Sequence, residues 1–562
     1  MKKFLTAVPL ALATGVIALS VNANAQTPTA NIVLNGLGSS ALFLEAGLGA
    51  TTTPISATCV WSSNNNPSAT PSNVVQATDS TVTPAESDAG NAWVAWTTGS
   101  GGTCDTPASD AKVYAYLQTD SVVGNRCLFN APSCHISYPV FDSAHANHSA
   151  NLILGVGNEH DLPQAISNAL NDTTKNKVNY AGTDIRPEDA WFATRRALAA
   201  CGTPVVSGSQ YKGLGYANGA NIASTFSSSV FHVIDFTLPA APGYVVTPVG
   251  ATPILVVVNG PSTTSGFGAH TFSNISSANL AKFLDGTFTT TGQATGGTGG
   301  SPVTTLIREP LSGTFNTMEF NVPNTTVLQT SQENGNCPIT NPLSSTGPRK
   351  RAIGTGQELN EVIDTTTNGN VLGYAFWSVA NFAGFTSTAA PNARYLTVDG
   401  IDPLITTSGN HNGIIPLSGS SDLANVTLSN INIAPTATNP NPANYPIWSL
   451  IRFVSNGSTA PADLTNLSTS TQNFVTSGSS SSRPDFIKVN ALTVVRSHFV
   501  PPLPTNQPSP AANGRVGLPS SNCSKAELGG DVGGVVLSLA LDSSTCSGQP
   551  ITNRIGTTNE RR

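Results

Sequence analysis

Apolar residues recur along this chain with two periods, and the places where one period gives way to the other mark the expected elements. Asn31-Ile32-Val33-Leu34 reads as a strand that runs through Gly36-Leu37-Gly38-Ser39-Ser40 into Ala41-Leu42-Phe43-Leu44-Glu45, where the spacing predicts a helix. Lys112 to Gln118 is strand-like. It belongs to a segment, ending near Pro139, so rich in Thr, Ser, Asn, Gly and Cys that a β-rich, disulfide-stapled insertion is expected. Helical patterns follow at Asp161 to Leu170 and Arg186 to Ala200, separated by a strand over Val178 to Gly182 that ends at Asp184. The run Thr252-Pro253-Ile254-Leu255-Val256-Val257-Val258-Asn259 is apolar without alternation, the signature of a strand covered on both faces.

The later half continues the alternation. A short helix is expected around Leu280 to Leu284, a flexible loop over Gly292 to Gly300, a helix after Gly313 and another over Gly356 to Thr366. Val371 to Phe376, Tyr395 to Gly400 and Tyr445 to Val454 look like further strands or, in the last case, a strand or helix. Strands alternating with helices predict a mostly parallel α/β sheet. Beyond about Val500, Pro, Ser and Asn accumulate, and the remainder reads as a peripheral extension.

The first residues change the picture. Lys2 and Lys3, an apolar segment from Phe4 to Val21 and Ala23-Asn24-Ala25 have the form of a secretory signal peptide with cleavage near Ala25. No later stretch is long and apolar enough to span a membrane, so a periplasmic or secreted protein is expected, without a lipid anchor. Eight cysteines fit an oxidising compartment. Short loops favour Cys127 with Cys134 and Cys523 with Cys546, with Cys59–Cys104 and Cys201–Cys337 as looser pairings. The formal charge is −6, and losing Lys2 and Lys3 makes the mature chain more acidic still. Bulk attraction to nucleic acid is therefore not expected, and any anion site must be local.

The chemistry that stands out lies in Ile307-Arg308-Glu309-Pro310-Leu311-Ser312-Gly313-Thr314. Arg308 is a fork-shaped donor, Ser312 and Thr314 bring hydroxyls, Gly313 permits close backbone approach, and a helix starting there would aim its positive end at the same point. That pattern suits a tetrahedral oxyanion; a capped helix with a solvated Arg is the plainer reading. The Gly36 to Ser40 turn is open in the same way between a tight turn and an anion loop, and Asp184 between a helix cap and a ligand. No Gly-x-Ser-x-Gly elbow or His-Glu-x-x-His is present, so an enzyme is not expected. Asp142, His145, His148, Glu159, His160 and Asp161 read as surface residues, not a metal centre, and no cofactor is expected. Arg349-Lys350-Arg351 reads as a solvated basic run, and Trp93, Trp96 and Trp191 as core or loop anchors.

Taken in order, these segments resemble the phosphate-binding proteins of bacterial phosphate ABC importers, a branch of the type 2 periplasmic binding proteins. Gly36–Ser40 is similar to the family's first phosphate loop, Tyr180-Ala181-Gly182-Thr183-Asp184 to its strand ending in Ser-Asp or Thr-Asp, and Thr252–Asn259 to its central strand. Leu284–Phe288, Arg308–Thr314, Gly354-Thr355-Gly356-Gln357 and Leu372-Gly373-Tyr374 resemble its later motifs, so that the likeness covers roughly residues 30 to 460. The resemblance implies a two-lobed α/β fold with the anion between the lobes. Residues 26–245 would form the first lobe, 246–394 the second and 395–500 a return to the first, with 501–562 as the extension. It implies inorganic phosphate held by Ser39, Ser40, the backbone at Ala41, Asp184, Arg308, Ser312, Gly313 and Thr314, and an ABC permease as partner. Ser121 stands in for the family's second serine loop, at stretched spacing. The alternative is an exported surface or structural protein that reuses the fold, with the anion site incidental.

Overall fold

The sixteen-residue strand Tyr244–Asn259 organises the molecule. Leu255 and Val257 enter one apolar cluster while Ile254, Val256 and Val258 enter another, so both faces are covered, as the unbroken apolar run requires. The structure, a computed structural model, describes most of residues 30–138, 160–190, 243–323, 347–405, 426–475 and 485–495, together with Gln332 and Val535–Val536. In chain order the principal strands are β1 (Asn31–Ser39), β2 (Cys59–Ser62), β3 (Ala92–Trp96), β4 (Lys112–Thr119), β5 (Tyr180–Thr183), β6 (Tyr244–Asn259), β7 (Val303–Arg308), β8 (Arg349–Ala352), β9 (Asn370–Phe376), β10 (Arg394–Val398) and β11 (Trp448–Asn456). They lie in the order β8-β7-β9-β6-β11-β5-β1-β4-β3-β2, with β10 against β6. The helices that matter to the site are α1 (Phe43–Gly49), α2 (Ser121–Phe129), α3 (Gly313–Asn321), α4 (Gly354–Ile363) and α5 (Ala462–Val475).

Strand β6 belongs to two halves. It pairs with β11 from Tyr244 to Pro253 and with β9 from Ile254 to Asn259, changing partner at a proline that has no N–H to give. Each half has its own core. One holds Leu37, Val94, Leu117 and Ile166 on one face of the sheet and Leu34, Trp93, Tyr116 and Leu467 on the other; the second holds Phe283, Ile307 and Met318 on one face and Leu306, Val362 and Tyr395 on the other. This is the two-lobed α/β arrangement expected from the sequence.

Three differences have physical causes. The sheet is mixed, not mostly parallel: β1 runs parallel to β4 and β5, and β7 to β8 and β9, but β6 and β11 are antiparallel to each other and to β9 and β5. A chain that crosses between halves and comes back runs in opposite directions on its two passages. The return to the first half, expected from residue 395, comes later, because β10 pairs with Val256 to Val258 inside the second half. The chain returns at β11, where Trp448 and Leu450 pack with the second core and Ile451 and Phe453 with the first. Nothing in the periodicity announces helices α2 and α5 or strands β7 and β8, the last falling on the basic run Arg349-Lys350-Arg351. The first helix after Asp161 spans Gln164–Leu170.

Two disulfides staple the first half. Cys59–Cys104, with Cα atoms 5.6 Å apart, ties β2 to the loop after β3, and Cys127–Cys134, at 4.8 Å, ties the end of α2 to the strand His135–Ser137 of a small antiparallel sheet. Cys201, Cys337, Cys523 and Cys546 lie outside the described residues, as do residues 1–25, Asp142, His145, His148, Glu159, Trp191 and all of 501–562 except Val535–Val536. Among the described residues, no helix is long and apolar enough to cross a membrane.

A pair of acids sits where the halves meet. Glu45 of α1 hydrogen-bonds the Asp485 side chain, and both are buried. Asp485 Oδ1 accepts from the Val379 N–H (2.8 Å) and its carbonyl from Thr252 Oγ1 (2.9 Å), beside the point where β6 changes partner. Burial, then the charge of Asp485, pushes the Glu45 carboxyl well above its ordinary value, and burial raises Asp485 as well. The folded state therefore holds a proton that the unfolded chain releases. The pair's contribution to stability is complete below the unfolded carboxyl range, about pH 4, and is lost as pH rises through the raised value. Melting temperature followed upward from pH 5 should fall less steeply for Glu45→Gln, whose amide supplies the shared hydrogen permanently; an identical slope would contradict the shared proton.

Candidate functional site

Strands β5, β1 and β4 are parallel neighbours, with Gly38 level with Gly182 and Ser39 level with Thr119. Their C-terminal ends release three segments side by side: Ser39-Ser40-Ala41, Asp120-Ser121 and Asp184. The second half repeats the device. Strands β7 and β8 are parallel, Arg308 is level with Ala352, and beyond them come Glu309 to Gly313 and Gly354-Thr355. Loops at the carboxyl ends of parallel strands are the usual place for a ligand in an open α/β sheet. Here two such edges face each other.

Direct contacts close the space between them. The Val122 N–H donates to the Leu311 carbonyl (3.1 Å), Ser40 Oγ lies 3.2 Å from Thr355 Oγ1, and Asp120 Oδ1 is 3.9 Å from Arg308 Nη2. Gly313 faces the Asp184 carboxylate so closely that a Cβ there would overlap it. Gly38, at φ 140°, lets β1 approach Gly182 of β5 in the same way.

Arg308 is 1% exposed, and its charge is met by acids. Nε donates to Glu309 Oε2 (2.8 Å) and Nη2 to Glu309 Oε1 (2.7 Å), a two-pronged pair that fixes the guanidinium plane, while Nη1 donates to Thr355 Oγ1 (3.0 Å). Glu309 is held in turn by the Gly354 N–H, 3.1 Å from each oxygen. Burial works to raise the Glu309 carboxyl, but the charge and hydrogen bonds of Arg308 outweigh it and leave it below its ordinary range. Glu358 behaves oppositely. Burial pushes it up to about 8 despite Arg308 nearby. Its Oε2, 3.8 Å from Arg308 Nε, has no hydrogen-bond partner among the described residues, and since that Nε–H already goes to Glu309 the contact is proximity, not a formed ion pair.

Asp184 is 1% exposed and accepts a hydrogen bond from Ser121 Oγ. Its carbonyl accepts from Ser449 Oγ, and the neighbouring Tyr116 hydroxyl is shifted upward by burial and then by the Asp184 charge. Just beyond it Pro187 and Ala190 are helical, where a helix was expected from Arg186; Arg186 and most of that segment lie outside the described residues. Ser312 caps α3, its Oγ accepting from the Phe315 N–H (3.4 Å), so that Gly313 and Thr314 present first-turn N–H groups with no acceptor within the helix. Ser39 caps the turn after β1 by accepting the Ala41 N–H (3.1 Å).

The structure thus brings Ser40, Ser121, Asp184, Arg308, Gly313 and the start of α3 together, and gives Ser39 and Ser312 capping hydrogen bonds beside them. Two sequence readings change. The Arg308 fork is engaged by Glu309, and its Nη1 by Thr355. Lys350 and Arg351 are not a solvated run: Lys350 Nζ pairs with Glu361 (2.6 Å), and Arg351 donates to the Arg308 carbonyl. Asp120, Glu309, Thr355 and Glu358 were missed as members of the site. An acid directly after an Arg at a strand end was the available signal for Glu309; nothing in the sequence pointed to Glu358, which is brought in by α4. Cys59, Cys104 and His160 also lie close together, but the two sulfurs are bonded to each other.

No family model matches the chain, and no curated protein matches it. Solved structures do. A phosphate-binding protein from Stenotrophomonas maltophilia is 15% identical over 63% of this chain and 74% of its own, with a TM-score of 0.30. The periplasmic phosphate-binding protein PfluDING is 15% identical over 66% of this chain and 83% of its own, with a TM-score of 0.28. An ABC-type phosphate transport receptor from Vibrio cholerae is 12% identical over 42% of this chain and 70% of its own, with a TM-score of 0.23. Superpositions this low assign no residue of this chain to a ligand.

The two acids around Arg308 should respond differently to neutralisation. Glu309→Gln leaves a buried guanidinium under-compensated and should cost about 3–5 kcal/mol in urea unfolding at pH 7. Glu358→Gln should be close to neutral there and stabilising above pH 8, because its raised carboxyl favours the folded state only while protonated. Equal losses for the two variants at both pH values would contradict this arrangement.

Proposed function

We propose that the protein is an exported solute-binding protein that holds inorganic phosphate between its two halves, in the service of ABC-type uptake. One observation carries the reading: a buried guanidinium, a buried acid bonded to a serine hydroxyl, and the N-terminal turn of α3 converge where the parallel-strand edges of the two halves meet. Arg308 supplies the charge through the guanidinium hydrogens that Glu309 and Thr355 leave over, α3 supplies oriented N–H groups, and Ser40, Ser121 and Thr314 supply hydroxyls. Asp184 supplies selectivity. A carboxylate accepts hydrogen bonds and donates none, so it favours an oxyanion that keeps a proton near neutral pH and disfavours fully ionised sulfate. The ligand would displace the Asp184–Gly313 contact on entry, which requires the halves to separate and close again.

A second reading is an exported surface or structural protein whose anion site is incidental. It is favoured by the Arg308–Glu309 pairing, which satisfies the fork without a ligand.

Calorimetric titration of phosphate and sulfate into the protein and two variants separates them. Arg308→Ala should weaken phosphate binding by roughly 2–5 kcal/mol through loss of the charged donor. Asp184→Asn should erode the preference for phosphate over sulfate, since the amide donates as well as accepts. Unchanged affinity and preference in both variants would contradict the site.

A further inference from the structure

Thr355 occupies the second position of α4 and is 4% exposed. So early in a helix it has no intrahelical carbonyl four residues back to engage its hydroxyl, the common fate of a helical threonine. Instead Oγ1 lies 3.0 Å from Arg308 Nη1 and 3.2 Å from Ser40 Oγ, a residue 315 positions away in the opposite half. The direction of the first bond is fixed by chemistry. A guanidinium carries hydrogens and no acceptor lone pair, so Thr355 accepts from Arg308. Its single hydrogen then has Ser40 Oγ within reach, and a Ser40 that accepts from Thr355 has its own hydrogen left for a third group.

We propose that Thr355 is a positioning residue that carries the donor polarity of Arg308 across the cleft: it turns the Ser40 hydroxyl to donate to the bound anion and latches the two halves in the closed state. The proposal rests on the anion-binding reading for the first of these roles but not for the second. The latch would form only when the strand edges meet, so its loss would act chiefly on opening. The Glu309 pair contributes by holding the guanidinium plane so that Nη1 faces Thr355. A neutral hydroxyl relay also adds a polar contact across the cleft without adding charge to a site already crowded with Asp120, Asp184, Glu309 and Glu358.

Thr355→Val keeps the shape and removes the hydroxyl, and Thr355→Ser keeps the hydroxyl. Inorganic phosphate is the probe, with association and dissociation rates followed by stopped flow. Thr355→Val should lose roughly tenfold in affinity, mostly as faster dissociation, with the association rate within about threefold of the parent. Thr355→Ser should recover most of the loss. Small-angle scattering without phosphate supplies a readout independent of the ligand, and Thr355→Val should be more expanded than the parent and Thr355→Ser. Parental rates in Thr355→Val, or equal losses in both variants, would overturn the relay and assign Thr355 a packing role. If the parent itself binds no phosphate, the anion reading falls with the first role, and the latch is then decided by scattering alone: identical profiles overturn it.

Discussion

A guanidinium removed from water must be surrounded by acceptors, and much of the site follows from meeting that demand at Arg308. Desolvating an isolated charge costs several kcal/mol even after relaxation. The chain answers with the adjacent residue: Glu309 takes two of the guanidinium hydrogens, the Gly354 N–H steadies Glu309, and Thr355 takes a third hydrogen. These contacts join the end of β7 to the start of α4 and fix which edge of Arg308 faces the opposite half. Glu358, close to the same charge but without a hydrogen bond to it, stays protonated to about pH 8 because its burial is not compensated. One buried cation thus has an ionised partner and a neutral neighbour, separated by hydrogen-bond geometry and not by distance from the charge alone.

Topology supplies the other half of the constraint. Strand β6 runs through both cores, the chain comes back along β11 against it, and Ile487–Lys488 pairs with β6 at Ala251 and Gly250, so these strands connect the two halves. Strand β6 exchanges partners between Pro253 and Ile254, and the Glu45–Asp485 pair and Thr252 sit at that point. On either side the parallel strands end toward the same gap. The convergence of Ser40, Ser121 and Asp184 with Arg308 and Gly313 is a consequence of strand direction and register before any specific contact is considered.

Much of this was legible in the sequence where one local signal sufficed. The unbroken apolar run from Ile254 to Val258 announced a strand buried on both faces, and Ser312-Gly313 announced the helix start that forms there. The Ser-Gly-Thr and Thr-Asp segments pointed to residues that do meet. What was not legible depended on long-range pairing. The direction of β6 and β11 is invisible to periodicity, so the sheet was read as mostly parallel and the return crossing was placed at Arg394 instead of Trp448. Lys350 and Arg351 looked solvated because their acceptors, Glu361 and the Arg308 carbonyl, are reached only through the fold. The fork of Arg308 looks available in the sequence because adjacency to Glu309 does not reveal that both are buried together.

The central question is whether the closed gap between the halves takes up an anion at all. Equilibrium dialysis of the purified mature protein against radiolabelled phosphate measures this without variants or assumptions about closure. Saturable retention approaching one phosphate per chain is expected, displaced by unlabelled phosphate and resistant to equimolar sulfate. Equal label on both sides of the membrane, or retention that sulfate displaces as readily as phosphate, would contradict it.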